Sequence, residues 1–539
     1  MPAGWLFAYD CLHDIGLVPA IWGCFCRVNE EDYMQETDWF GTDGLRGPVG
    51  VPPMNRPCMR ALGLALGRLI ALGGLDGRRL RARGGGRVLV GWDTRESGPA
   101  LASALCAGLA RARVKAVGLG VLPTPALSCM ARHGRCRAGV MVSASHNPAS
   151  DNGIKLFDNE GNKLELAVER QLQHMAQSEL GNMASLSVIP APARGLSPCH
   201  PCESRDPTGI QSEPDDSMPW RQTKAQTYTR LLKSLLPAGK PLQGLRIAVD
   251  CAHGAAYQLA PAVLRRLGAQ VAVLADQPTG QNINQGVGSE HLGHVRGFVQ
   301  GTSVDFGVAL DGDADRAAFV DETGAGVSGD AVLLLLAADL KERGLLRGDA
   351  LVTTVMSDMG LCRQLRSRGI AMERTPVGDR HVAARARELG LHFGGEPSGH
   401  ILFLPHSAAG DGLMAALLLA FALQRSGRSL SELAARFRPT PRVLLSVPVA
   451  SRLPLTRLPE TDQLIRTIER ALGDQGRILV RYSGTEAKGR ILLEGEDQGH
   501  LQQLAMQVAR VWQEELRRHS GATTREKPPT ADSNRAPAQ

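Results

Sequence analysis

The turn DGDADR, residues 311–316, follows the apolar run DFGVAL and sets Asp311, Asp313 and Asp315 at alternate positions. Three carboxylates that close repel one another unless a cation holds them, and an all-oxygen donor set favours a hard ion such as Mg2+. An EF-hand loop has acidic residues at its first, third, fifth and twelfth places, which Asp311, Asp313, Asp315 and Glu322 would fill. Its sixth place needs Gly, however, and here holds Arg316, and strands rather than helices are expected on either side. The expectation is a magnesium site on a strand-end turn.

Four other loops bear chemistry that fits such a site. In VMVSASHNPASDNGIKLF, residues 140–157, an apolar run ends in Ser145 and His146, and Asn147-Pro148 turns the chain because proline fixes φ and removes a donor. Open α/β sheets build ligand sites at such strand ends. Lys155 lies far enough along to return to the same place. FGTDGLRG, residues 40–47, surrounds Arg46 with glycines that allow a ligand close to the backbone, and guanidinium pairs well with phosphate. GGEPSGH, residues 394–400, presents Glu396 and Ser398 to sugar hydroxyls. RYSGTE, residues 481–486, offers Ser483, Gly484 and Thr485 between Arg481 and Arg490, a phosphate cradle without a Walker sequence. No GxxxxGK[ST] occurs, and GLGVLP lacks the third glycine of a dinucleotide fingerprint. A serine that donates a phosphoryl group, a divalent cation that neutralises it, a second phosphate cradle and a carboxylate–hydroxyl grip on the ring together describe phosphosugar isomerisation.

The elements around these loops alternate. RVLVGWD and KAVGLG read as strands, and ALGLALGRLIALGG and ALASALCAGLARARV as helices. The same alternation returns in LRIAVD, APAVLRRLGA, QVAVLA and DFGVAL, and again in GDAVLLLLAADLKERG, ALVTTV and DGLMAALLLAFALQRSG. Beyond Pro441 the order is strand, helix, strand, strand, helix. The expected organisation is an N-terminal extension (1–33), α/β domains at 34–184, 224–327 and 328–440, and an α+β domain at 441–519. Between the first two lies a Pro- and Ser-rich insertion (185–223), and the tail (520–539) is expected to be disordered.

Composition sets the outer limits. The 539 residues carry a formal net charge of +7, with 4% aromatics and no dense basic run, which speaks against a nucleic-acid groove. The cysteines number 11 and are mostly scattered. CHPC at Cys199 and Cys202 has no second pair, nor do Cys24 and Cys26, so neither zinc nor a disulfide framework is expected, and a reducing compartment is. The leading segment is apolar but broken by Asp10, His13 and Asp14, with no basic residue before Arg27. It reads as neither a signal peptide nor a membrane span, and Met34 is a plausible start.

The stretches FGTDGLRG, SASHNP, DGDADR, TPVGDR, GGEPSGH and RYSGTE, in this order from about Thr37 to Arg518, resemble the α-D-phosphohexomutase family. That resemblance implies four domains around a central cleft, three similar α/β mixed-sheet units and a smaller C-terminal α+β domain. It implies that Ser145 is a phosphoserine and that Asp311, Asp313 and Asp315 hold one Mg2+ per subunit together with a phosphoserine oxygen. Arg46, His146 and Lys155 would surround the transfer site, with Lys155 or His146 as general acid/base. Arg316 would lie beside the metal, Glu396 and Ser398 on the sugar, and Arg481, Ser483, Gly484, Thr485 and Arg490 on the non-reacting phosphate. The implied substrate is a phosphorylated hexosamine: D-glucosamine 6-phosphate becomes the 1-phosphate through glucosamine 1,6-bisphosphate. Glucose and mannose phosphates, or a non-catalytic sensor, are the alternatives. The resemblance further implies a cytoplasmic monomer or homodimer with no nucleic-acid or membrane partner. Four positions depart from the pattern: Pro397 stands in place of Gln, Trp92 in place of Arg, HSAAGDG in place of a Thr-containing version, and GTEAKGR lacks a Pro after Glu486.

Overall fold

A computed structural model describes residues 39–74, 87–186 and 219–519, apart from 42, 135, 405, 450 and 483–487. The expectations for the leading segment, for Cys24, Cys26, Cys199 and Cys202, and for the tail therefore lie outside the described residues. The chain divides into two compact units, Met34–Thr440 and a second that holds Pro441 onward.

The first unit contains three α/β modules. Module one runs β1 (Phe40–Gly41), β2 (Gly44–Pro48), α1 (Arg56–Ala71), β3 (Arg87–Trp92), α2 (Gly98–Arg111), β4 (Lys115–Val121), α3 (Thr124–His133), β5 (Ala138–Val142), β6 (Asp151–Phe157) and α4 (Leu166–Leu186). Its sheet has the order β1-β2-β6-β5-β3-β4, with β5, β3 and β4 parallel and β6 and β2 antiparallel. Every residue of β5 is buried, which is why AGVMV reads as a continuous apolar run. Asn55 caps α1 by accepting from the Cys58 N–H at 2.9 Å. Helices α1 and α2 cross at Gly63 and Gly108, where an added Cβ would lie 2.0 Å and 2.1 Å from backbone oxygens of the partner helix.

A helix, α5 (Pro219–Ser234), leads into module two. It begins inside the segment expected to lack structure; a proline in the first helical turn gives up only an amide that would be unpaired there. Module two continues β7 (Arg246–Asp250), α6 (Leu259–Arg266), β8 (Gln270–Leu274), α7 (Gly293–Gln300), β9 (Phe306–Leu310), β10 (Ala317–Asp321) and β11 (Gly326–Val327), with sheet order β11-β10-β9-β7-β8. Module three comprises α8 (Gly329–Glu342), β12 (Ala350–Thr354), α9 (Met359–Arg366), β13 (Ala371–Thr375), α10 (Asp379–Glu388), β14 (Phe393–Gly395), β15 (Ile401–Phe403), α11 (Gly412–Ser426) and α12 (Leu430–Ala434), with sheet order β13-β12-β14-β15. Modules two and three share one hydrophobic core, which includes Tyr228 and Leu232 of α5, Ile247 and Phe306, and Leu333 and Leu417.

The second unit is the smaller α+β element expected from the sequence: β16 (Arg442–Pro448), α13 (Pro459–Leu472), β17 (Arg477–Tyr482), β18 (Lys488–Glu494) and α14 (Gln498–His519). Its three strands are antiparallel in the order β16-β18-β17. Trp512 of α14 packs on Tyr482 with ring centroids 5.0 Å apart, and buried Glu515 accepts from the Glu460 and Thr461 amides at the start of α13.

Asp411 joins α5 to α11. Its side chain caps α11 through the Met414 N–H at 2.8 Å and accepts from the Tyr228 hydroxyl at 2.8 Å. Its other oxygen has no hydrogen-bond partner among the described residues, and burial pushes the carboxyl from 3.8 up to about 6. A folded-state value above the unfolded one means that the stabilisation present at low pH is lost as pH rises through 6, by roughly 3 kcal/mol at about 1.36 kcal/mol per unit. Asp411→Asn keeps the cap and the acceptor but cannot ionise. Thermal melts from pH 4 to pH 8 should show this variant gaining on the wild type as pH rises; a constant gap contradicts the buried ionisation.

Candidate active site

Ser145 lies three residues beyond the end of β5 and takes up a left-handed backbone conformation, φ 55°. Non-glycine residues enter that region rarely, and surrounding contacts must hold them there. Its N–H donates to Ser143 Oγ at 2.9 Å, and Ser143 Oγ donates to Asp93 Oδ2 at 2.7 Å. The Ser145 hydroxyl donates to Asp311 Oδ2 at 2.5 Å and lies 3.2 Å from His146 Nδ1. Ser145 is fully buried.

Asp311 sits on the turn between β9 and β10, where its backbone oxygen accepts from Ala314 N–H at 3.0 Å and its Oδ1 from Arg316 N–H at 3.1 Å. That turn presents Asp311, Asp313 and Asp315 together, all buried, with one oxygen of each within 4.8 Å of the others. Gly312 has to be glycine: an added Cβ would lie 2.6 Å from the Ser145 carbonyl oxygen. Lys155 returns from β6, as its position in the sequence suggested. Its Nζ lies 2.5 Å from Asp313 Oδ2 and 2.6 Å from Asp315 Oδ2. Thr124, at the start of α3, donates its hydroxyl to Asp313 Oδ2 and its N–H to the Asp313 carbonyl. Asp313 Oδ1 is buried with no hydrogen-bond partner among the described residues.

Burial, Asp315 and Asp313 push Asp311 well above the usual carboxylate range. For Asp315, burial acts upward but Lys155 and His400 outweigh it and hold the group well below that range. Lys155 is the mirror case, burial opposing its charge while Asp313 and Asp315 hold the proton on. Lys155 and His400 favour charge on Asp315, and the mutual repulsion of the trio falls on Asp311. The orphaned Asp313 oxygen, the all-oxygen donor set and the close spacing fit a hard divalent cation.

Around this centre stands a charged wall. Arg46 donates to Asn147 Oδ1 at 3.4 Å and pairs with Asp43 at 3.2 Å. Burial followed by the Arg316 and Arg46 charges brings His146 down to about 3, so its imidazole is neutral. Arg316 faces Glu290 at 3.2 Å and Asp43 at 3.6 Å. A backbone bridge pairs Arg316 with His400, which brings the metal turn against the β14–β15 turn.

His400, within GGEPSGH, was not assigned a role from sequence. Its Nδ1 lies 3.0 Å from Glu396 and its Nε2 3.1 Å from Asp315. Burial and Arg316 lower it, but Asp315 and Glu396 prevail and raise it to about 10. With both ring nitrogens donating, the Arg316 Nε at 3.1 Å from Nε2 is a contact between donors, tolerated because carboxylates surround both. Glu396 also accepts from Gly378 N–H at 3.0 Å, and Ser398 is exposed on the same turn. Two further pairs, equally unforeseen, tie module one to module three: Lys163–Asp379 at 2.6 Å and Arg380–Glu169 at 2.9 Å.

The fifth loop belongs to the second unit. Arg481 and Arg490 stand directly opposite each other on β17 and β18, an arrangement of like charges that is unfavourable in itself. Burial and Arg490 lower Arg481. Ser483, Gly484 and Thr485 lie outside the described residues.

A buried hydroxyl against an acidic cation site, ringed by arginine, lysine and histidine at the ends of α/β sheets, defines a phosphoryl-transfer enzyme. Models of phosphoglucomutase/phosphomannomutase match the chain in four parts: α/β/α domain I over residues 37–182, domain II over 226–324, domain III over 328–440 and the C-terminal domain over 444–511. The phosphoglucosamine mutase of Anaeromyxobacter sp. is 42% identical over 89% of this chain and 96% of its own. That of Nitratidesulfovibrio vulgaris is 41% identical over 89% and 99%. The crystal structure of a phosphoglucomutase/phosphomannomutase family protein from Burkholderia thailandensis shares the fold, with a TM-score of 0.67 at 23% identity over 88% of this chain and 97% of that one. The chain belongs to the phosphoglucomutase/phosphomannomutase family, and it is a phosphohexomutase enzyme. No helix among the described residues is long and apolar enough to cross a membrane.

Mg2+ at about 100 times its dissociation constant should stabilise the wild type by roughly 2.7 kcal/mol, a gain read as a rise in melting temperature that a chelator reverses. Asp313→Asn should lose most of that gain. An equal Mg2+ response in the variant would place the ion elsewhere.

Proposed function

We propose that this enzyme interconverts D-glucosamine 6-phosphate and D-glucosamine 1-phosphate through a phosphorylated Ser145 and glucosamine 1,6-bisphosphate. The observation that carries the reading is the Ser145 hydroxyl 2.5 Å from Asp311 within the acidic trio. The relatives at 42% and 41% identity, both phosphoglucosamine mutases, supply the sugar.

In the forward direction the O1 hydroxyl of the 6-phosphate attacks the phosphorus on Ser145. The bond to Ser145 Oγ breaks, the O1 proton leaves and the 1,6-bisphosphate forms. The bisphosphate turns over, Ser145 Oγ attacks the 6-phosphoryl phosphorus, the bond to O6 breaks, O6 regains a proton equivalent to the one lost from O1, and glucosamine 1-phosphate departs with no net gain or loss of phosphate. His146 Nδ1, neutral and 3.2 Å from Ser145 Oγ, is the side chain able to take the proton, and Lys155, which already holds its own, is the candidate to return one. Asp311, Asp313 and Asp315 would hold Mg2+, which supplies neutralisation of phosphoryl charge. Arg46, Arg316 and Lys155 add positive charge on the protein side. Glu396 and Ser398 grip ring hydroxyls, and Arg481, Ser483, Gly484, Thr485 and Arg490 hold the phosphate that is not reacting. The product serves UDP-N-acetylglucosamine synthesis in the cytoplasm.

Pro397, between Glu396 and Ser398, favours a second reading in which glucose or mannose phosphate is the better substrate. A Cβ on Gly329 would lie 2.2 Å from its carbonyl oxygen, so this turn packs directly against the start of α8. Steady-state kinetics with the 6-phosphates of glucosamine, glucose and mannose decide. The aminosugar should lead in kcat/KM by about 10-fold or more, which is about 1.4 kcal/mol of transition-state discrimination. An aminosugar ranking last overturns the substrate, and release of inorganic phosphate without isomer overturns the mutase.

A further inference from the structure

The Ser145 loop is held by two side chains from different modules that grip the same two backbone atoms. From module one, Arg95 is buried and fixed by Asp93, its Nε 2.9 Å from Asp93 Oδ2. Its NH2 donates to the Ser145 carbonyl at 3.1 Å and the Asn147 carbonyl at 2.7 Å, and its NH1 to the carbonyls of Pro148 and Asp151. From module two, Asn284 donates its side-chain amide to the same Ser145 carbonyl at 2.8 Å and the same Asn147 carbonyl at 3.0 Å. Both partners are acceptors, so only the NH2 end of Asn284 can face them. Asn284 is itself in the left-handed region, φ 59°, and its N–H donates to the Ala252 carbonyl at 3.0 Å. Gly312 lies in the same junction, where a Cβ would also fall 3.0 Å from Asn284 Nδ2.

We infer that Asn284 is a positioning residue for phosphoryl transfer: its amide fixes the Ser145 loop of module one at a set distance from the carboxylates of module two. Ser145 and Asp311 come from different sheets, so nothing local sets their separation. Arg95 shapes the loop within its own module. Asn284 alone of the two belongs to the module that bears the acidic trio, and it transmits the position of that module to the Ser145 backbone. The left-handed φ of Ser145 makes this necessary, because a loop free of the clamp relaxes toward commoner backbone angles and swings Oγ away. A misplacement of about 1 Å at a reacting atom costs on the order of 100-fold in rate.

This inference rests on the role proposed above for Ser145, and the test separates the two. Asn284→Asp keeps size and tolerance of the left-handed region but turns the donor into a carboxylate facing two carbonyl oxygens. Asn284→Gly keeps the backbone and removes the side chain. Turnover is measured per phosphorylated enzyme, with phosphoserine content read by intact mass and folding by melting temperature. Both variants should lose about 10- to 100-fold in kcat with KM for the sugar phosphate within about 3-fold, the aspartate faring no better than the glycine. If Asn284 only fills space, the near-isosteric aspartate retains kcat within about 2-fold of wild type, and the inference falls. Should the aspartate fail to fold, wild-type kcat in the glycine variant overturns it equally. If Ser145→Ala turns over normally, the proposed role of Ser145 fails instead, whatever the Asn284 variants do.

Discussion

Everything in the first unit answers to one electrostatic constraint: three aspartates on a six-residue turn, all buried. At about 4 Å and an effective dielectric near 20, each pair of like charges costs about 4 kcal/mol. A chain keeps such a cluster only by surrounding it with positive charge. Lys155 reaches it from β6, His400 from the β14–β15 turn, and Arg316 from the turn itself. The positive partners thus come from all three modules, which makes the cluster the point where the modules must register with one another. The same field that makes the site costly to build suits it to a hard cation.

Charge draws the loops together, but sterics set how closely they approach. The metal turn and the Ser145 loop touch backbone to backbone because Gly312 has no side chain. The acidic turn and the β14–β15 turn meet in the same way at Gly399, where a Cβ would lie 2.5 Å from the Ala317 carbonyl. Substitution at these positions would separate the reacting groups without removing any of them. The elements that bear the loops are correspondingly rigid: β5 and β9 are buried along their whole length, and α11, which starts beside the metal turn, is buried over most of its length.

Much of this was legible in the sequence, and the reason is physical. Buried strands such as AGVMV and FGVAL show as apolar runs, and residues that hold phosphate or metal show as polar types packed between glycines. The loops at Arg46, Ser145, Asp311 and Glu396 were each visible alone, and folding brings them together. Less visible were elements with weak apolar patterning. The short, Arg-bearing α9 and α10 and the half-polar strand β13 have their form imposed by packing, and α5 starts inside a stretch whose composition reads as unstructured. The supports of the site were hidden for a different reason. Arg95, Asn284, Thr124, Lys163 and Asp379 act through partners between 50 and 216 positions away in the chain, measured as Arg95 to Ser145 and Lys163 to Asp379. No local spacing encodes such a pairing. His400 stood inside a quoted motif, but its significance lies in facing two carboxylates at once, which only the fold reveals.

Direct passage of a phosphoryl group from Ser145 to the sugar beside the aspartate trio leaves a trace that can be followed in time. Rapid-quench mixing of enzyme labelled with 32P on Ser145 with unlabelled glucosamine 6-phosphate tests it most directly. Label should leave the protein and appear first in the sugar bisphosphate, then in the monophosphate pool. Label that stays on the protein while isomer forms, or that leaves only as inorganic phosphate, would contradict it.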